Sequence, residues 1–166
     1  MPRHDGRRRK GLPMCWMCDH SGSTVDDYLA EIRAKIRRRG WTVQYVEDDR
    51  VPYAYTVGLT RHGLPEFLMT GVSPQRALQL LGGIAESAPD VEVPAPGERL
   101  TLSGTLVEVV EVEHPDAHMN AAIAIYGSQV RALQLVWADW RGGWPWGAGF
   151  NNGRASQPVL GVRAAS

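Results

Sequence analysis

"YAYTVGLTRHGLPEFLMTGVSPQRALQLL", residues 53–81, decides the fold. Its opening, 53–59, is β-branched and aromatic and reads as a strand. "TRHGLPE", 60–66, is a loop with Gly63 and Pro65 as breakers. "FLMTGV", 67–72, is another strand. Ser73 and Pro74 then open a helix as N-cap and first-turn proline. Its apolar face is Ala77, Leu78, Leu81, Ile84 and Ala85, at helical spacing, and "SAPD" ends it.

Working outward, Val25, Tyr28, Leu29, Ile32 and Ile36 mark one face of a helix over 25–39. Thr24 and Asp27 have capping-box spacing. Asp26 and Asp27 sit early and Arg37, Arg38 and Arg39 late, the order the helix dipole favours, and Gly40 is a good stop. "WTVQYV", 41–46, is a strand that forms a hairpin with 53–59 across the polar turn "EDDRVP". Downstream, "VEVPAPGE", 91–98, is a Pro-rich connector. Residues 100–112 form one bent strand or two short ones, with Gly104 at a bulge. A short Ala-rich helix runs from Asp116 to Gly127. "VRALQLVW", 130–137, alternates: Val130, Ala132, Gln134 and Val136 on one face, Arg131, Leu133, Leu135 and Trp137 on the other. The expected fold is α+β: a mostly antiparallel, mixed sheet of about five or six strands with two or three helices packed on it. The 73–88 helix allows a parallel pair across it.

The chain has 166 residues, 43% hydrophobic and 22% charged. That suits one soluble domain over 23–166, preceded by a basic leader, 1–22. No apolar run reaches the roughly 20 residues that span a bilayer. Residues 1–39 carry ten Lys/Arg against five Asp/Glu, and residues 40–166 eight against thirteen. A nucleic-acid binder more often has a basic domain throughout, so a small molecule or a protein is the expected partner. Residues 1–13 are Gly/Pro-containing and aperiodic and are expected to be disordered. Met14 is an alternative start.

The string "PYAYTVGLT", "LPEFLMTGVSPQRALQLL", "VRALQLVWADWRGGWPWGAGF" and "QPVLG" resembles the bacterial domain-of-unknown-function family 4262 over about residues 24–162. Members of that family carry an aromatic-x-Tyr-Thr-x-Gly-Leu strand, a Pro-Glu loop, and a Gln-x-x-Trp-x-Asp segment followed by Pro-Trp and Gln-Pro. The resemblance implies a bacterial α+β protein and no reaction. One departure stands out. Many members have His directly before the Pro-Glu pair, where this chain has Leu64, with His62 two residues earlier.

Three motifs carry candidate chemistry. "MCWMCDH", 14–20, places Cys15 and Cys18 in C-x-x-C beside Asp19 and His20. Two thiolates are half a tetrahedral site for zinc or iron and need two more ligands, of which one or more would come from His20, His62 and His118. His114 has helical spacing to His118, but Pro115 turns it away. No preceding strand supports a thioredoxin-like pair, and two cysteines point to reduced thiols and a cytoplasmic protein. The second motif is the Trp-rich segment 137–146. Either its rings pin an irregular segment over the sheet, or Trp137, Asp139, Arg141, Trp144 and Trp146 form an aromatic cleft for a polar ligand. "GGWPWGAG" lacks the Gly-Lys-Ser/Thr end of a phosphate loop, and no nucleotide-cofactor motif is present. The third is the loop at 60–66, where His62 and Glu66, with Asp139, are the candidates for proton transfer. The leading expectation is metal binding by the leader thiols and an imidazole; the alternative is a non-enzymatic binding module using the Trp-rich segment.

Overall fold

The computed structural model describes residues 24–154 and 156–165. The leader, with Cys15, Cys18 and His20, lies outside them. Helix α1 (Val25–Arg39) is capped as its sequence dictates. Thr24 Oγ1 accepts from the Asp27 amide at 3.2 Å, and Asp27 Oδ2 accepts from the Thr24 amide at 3.0 Å. Gly40 closes the helix with φ 88°, a conformation that only glycine adopts at no steric cost.

Strands β1 (Thr42–Val46) and β2 (Tyr53–Val57) pair antiparallel, Thr42 opposite Val57. A single 3₁₀ turn, Leu59–His62, leads into β3 (Glu66–Thr70), antiparallel to β2. Helix α2 (Pro74–Ser87) follows, its N-cap Ser73 accepting from the Arg76 amide. Strands β4 (Arg99–Leu102) and β5 (Thr105–Glu111) form a hairpin. Its turn has positive φ at both Ser103 and Gly104, 45° and 78°, the twist that matches two strands tightly joined. Gly104 therefore makes a turn rather than a bulge.

After short helices α3 (Pro115–His118) and α4 (Asn120–Tyr126), strand β6 (Ala132–Trp137) enters the middle of the sheet. The order is β1-β2-β3-β6-β5-β4. Only β3 and β6 run parallel. The architecture is the α+β class expected, a six-stranded mixed sheet with helices on both faces. The parallel pair differs from the one allowed across the 73–88 helix. The 91–98 connector carries the chain to the far edge, and β6 later fills the gap beside β3.

The strands alternate, so each face has its own core. Phe67, Met69, Leu133, Leu135 and Trp137 meet α2, while Tyr55, Val57, Leu68 and Ala132 meet α1 and α4. Full burial of each large apolar side chain contributes roughly 1.5–3 kcal/mol. Two local expectations change. Leu78 is 56% exposed, and Leu80 takes its place in the α2 stripe. The expected single helix from Asp116 breaks at Met119 (φ −108°, ψ 56°) because Pro115 starts a turn of its own before α4 begins.

Candidate functional site

The loop between β2 and β3 is organised by Glu66. Its carboxylate is fully buried and accepts four hydrogen bonds. Thr56 Oγ1 donates at 2.6 Å, and the Gly58 amide, the Thr60 amide and Thr60 Oγ1 each donate at 2.9 Å. The Phe67 amide donates to Thr56 Oγ1 in turn. Burial pushes the Glu66 carboxyl above its ordinary value, and the four donors pull against that push. Gly58, at φ 132°, lies so close to the Gly40 carbonyl that a Cβ there would sit 2.5 Å from it. The signature Tyr-Thr-x-Gly-Leu followed by Pro-Glu therefore encodes a lock. Thr56, Gly58 and Thr60 supply the donors and Glu66 the acceptor. His62 ends the 3₁₀ turn and is exposed, whereas Glu66 is sealed inside, and no hydrogen bond or ion pair joins the two.

Asp139 plays the same part at the end of β6. Oδ1 accepts from the amides of Arg141 and Gly143, at 2.9 and 2.7 Å, and Oδ2 from that of Asn151 at 2.9 Å. The Asn151 and Gly143 amides, ahead of the Arg141 contribution, hold its carboxyl below the usual range. This one side chain fixes the path of the loop from 139 to 151. The loop carries the tryptophans to three different fates. Trp137, just before it, is buried against Phe150, with its indole N–H on the Thr70 carbonyl at 2.9 Å and Arg76 over its ring. It belongs to the core and does not wall a cleft. Trp144 and Trp146 stack 5.2 Å apart and nearly parallel, with Arg99 over the first and Arg163 over the second. Trp140 is 74% exposed, with the guanidinium of Arg141 over its ring at 4.5 Å.

Arg99 and Arg163 converge on Glu108, a partnership that the sequence reading missed. Arg163 binds it through two nitrogens, at 2.7 and 3.0 Å, and Arg99 through Nε at 3.1 Å. Hydrogen bonds from Arg163 first, then Arg99, hold the Glu108 carboxyl low. A signal existed in the sequence, since Glu108 interrupts the apolar run of β5. The C-terminal segment that carries Arg163 is also stitched down at 157–160. Gln157 pairs with the backbone of Trp137, and Gln134 donates to the Pro158 carbonyl and accepts from the Leu160 amide. The Gln-x-x-Trp and Gln-Pro motifs are the two halves of this strap.

Of the remaining candidates, His118 is half-buried, edge-on to the Tyr53 ring, and its carbonyl accepts the Tyr53 hydroxyl. His62 follows the opposite end of β2, so His62 and His118 are alternatives as ligands and not joint ones. Among the described residues no three His, Cys, Asp or Glu side chains gather as a metal site would need. An open depression of about 360 Å³ lies outside the end of β3, lined by Tyr45, Arg50, Ser73 and others, and among the described residues none of the sequence-predicted site residues borders it.

The family model for the domain of unknown function DUF4262 matches residues 35–151. The chain belongs to that family. The match runs from the last turns of α1 to the Asp139-braced loop, so it contains both the Glu66 lock and the Trp-rich segment. The DUF4262 region ends before the Gln157 strap, although the strap bonds directly to residues inside it. No curated protein and no solved structure matches the chain.

Proposed function

We propose that this DUF4262 protein is a non-enzymatic binding module whose Trp-rich loop engages a protein partner. The observation that carries the reading is Trp140, 74% exposed at the start of a loop that Asp139 holds by three backbone amides. An indole left in water on a braced backbone loses little entropy on docking. Trp and Arg dominate the energetic centres of interfaces, and Arg141 lies on this ring. Both loop carboxylates that sequence offered for catalysis, Glu66 and Asp139, have their oxygens engaged by backbone or hydroxyl donors.

The test replaces Trp140 with a photo-crosslinking phenylalanine analogue in the native cell. A discrete adduct that Arg141→Ala weakens supports the reading. Crosslinking no more specific than at exposed Val91 removes it.

A second reading rests on the leader. Cys15, Cys18 and His20 offer two thiolates and an imidazole within six residues, which would hold zinc or iron with His62 or His118 as a further ligand. Such a chain would work in the reducing cytoplasm, where the thiols stay free to ligate. Among the described residues no helix is long and apolar enough to cross a membrane. Elemental analysis of untagged protein tests it. Near-stoichiometric metal, lost in Cys15→Ser/Cys18→Ser, supports the site; metal-free protein whose melting point is unchanged by the double substitution removes it.

A further inference from the structure

The distribution of charge in space differs from its distribution along the chain. Arg37, Arg38 and Arg39 end α1, and Arg33 lies one turn earlier; all four are exposed. The close approach of Gly58 to Gly40 and Trp41 sets the 3₁₀ turn, with exposed Arg61 and His62, against this same end of α1. Arg33 and Arg61 both lie close enough to Tyr126 to oppose the upward push that burial and Glu66 give its hydroxyl. Five arginines thus gather from α1 and the β2–β3 turn.

Elsewhere four cations are paired, while Arg50, Arg76, Arg141 and Arg154 lie singly at separate places on the surface and form no ion pair among the described residues. Glu108 takes Arg99 and Arg163, Glu111 takes Arg131, and Glu31 takes Lys35. Among the described residues none of the five forms an ion pair. Glu66 is buried on its four donors, and exposed Glu86 accepts the Trp41 indole N–H at 3.2 Å rather than an arginine. A helix C-terminus carries only about half a negative charge, which one cation offsets. The others are in excess of that need, in a chain with carboxylates enough to neutralise them.

Two half-buried rings flank the cations. Trp41 lies on one side, with Arg39 over it at 5.7 Å, and Tyr126 on the other. We propose that this arginine pole binds the phosphate backbone of single-stranded nucleic acid. The flanking rings, rather than the cation type, favour nucleic acid over an acidic protein, because bases stack on them and carboxylates do not. All five are guanidinium forks, which match phosphate and carboxylate oxygens alike in pairs, and the one lysine nearby is taken by Glu31. Aromatic rings beside such cations give bases a face to stack on. This surface is separate from the Trp-rich loop and stands whether or not that loop binds a protein.

Fluorescence anisotropy of the full-length protein with a labelled oligouridylate, over a salt series, tests the proposal. Affinity should fall steeply with salt, and log K should have a slope of about −0.7 for each phosphate contact. The variant Arg37→Gln/Arg38→Gln/Arg39→Gln/Arg61→Gln, which keeps good helix formers, should bind at least tenfold more weakly, with a slope shallower by roughly 2–3. The leader is the obvious confounder, so Arg7→Gln/Arg8→Gln/Arg9→Gln is the control and should change binding less than threefold. A duplex of equal charge should bind less tightly than the single strand. The proposal is overturned by no binding at low salt, by a pole variant within threefold of the parent, by an effect confined to the leader variant, by equal binding of duplex, or by polyglutamate displacing the strand at matched charge. An unchanged melting point in the pole variant confirms that the readout is binding.

Discussion

Gln157 holds both backbone groups of Trp137. The Trp137 amide donates to Gln157 Oε1 at 2.8 Å, and Gln157 Nε2 donates to the Trp137 carbonyl at 2.8 Å. The ladder between β3 and β6 ends at Leu68 opposite Gln134, so the carboxamide stands where a neighbouring strand would otherwise be. Gln157→Ala orphans a buried donor and a buried acceptor together. Each orphan costs about 1–3 kcal/mol, so the expected loss is on the order of 2–4 kcal/mol, read as a lower urea midpoint at constant m-value. A change below about 0.5 kcal/mol would show that water replaces the side chain and that the strap is dispensable.

Glu66 and Glu108 give opposite pH dependences. The folded Glu66 carboxyl lies above its ordinary value of 4.5 because it is buried. In the window between the two values the folded state binds more protons than the unfolded, so its contribution is full below 4.5 and is lost as pH rises through the folded value. Glu66→Gln keeps an acceptor for the Gly58 and Thr60 amides and removes this slope. Glu66→Leu orphans those amides, and a loss of roughly 2–5 kcal/mol is expected. The measurement is denaturation at several pH values. A Glu66→Gln profile parallel to the parent would refute the titration argument.

For Glu108 the sign reverses. Arg163 and Arg99 hold its folded carboxyl below 4.5, so its stabilisation is present above that value and is lost as pH falls through the folded one. Glu108→Gln should remove this acid loss and loosen the strap at Arg163. Carboxypeptidase or trypsin should then trim the C-terminal segment faster than in the parent at neutral pH. Equal rates in the two proteins would mean that the glutamine clamps alone hold the strap.

Much of the fold was written in local chemistry. The capping box at Thr24, the stop at Gly40, the Ser73–Pro74 helix start and the alternation of 130–137 each use neighbours in sequence, so each could be read from it. What could not be read were pairings at long range. β6 inserts between β3 and β5 after α3 and α4 have intervened, and nothing within 130–137 names its neighbours. The site was obscured in the same way. Glu66, in a loop beside His62, resembles a working carboxylate until its four donors are seen, three of them from residues 58 and 60. Glu108 is an anomaly in β5 whose two partners lie nine residues upstream and at the far end of the chain. Arg61 joins the α1 arginines only because Gly58 touches Gly40, a contact across the hairpin.

Glycines separate close approach from mere presence. A Cβ at Gly161 would lie 1.9 Å from the Glu111 carbonyl oxygen, backbone that cannot yield locally. Gly83, within α2, has nothing within 4 Å of the same atom. Gly83→Ala should therefore stabilise the protein by about 0.5–1 kcal/mol, through the entropy that glycine loses in a helix. Gly161→Ala should unseat the strap and reproduce the Gln157→Ala phenotype, a lower urea midpoint with faster C-terminal trimming. Because both substitutions act on one closure, the double variant Gln157→Ala/Gly161→Ala should be little worse than either alone, as coupled sites are. Additive losses would instead place Gly161 in a structure of its own, with Gln157 and Trp137 making their clamp whether or not the chain lies down beyond it.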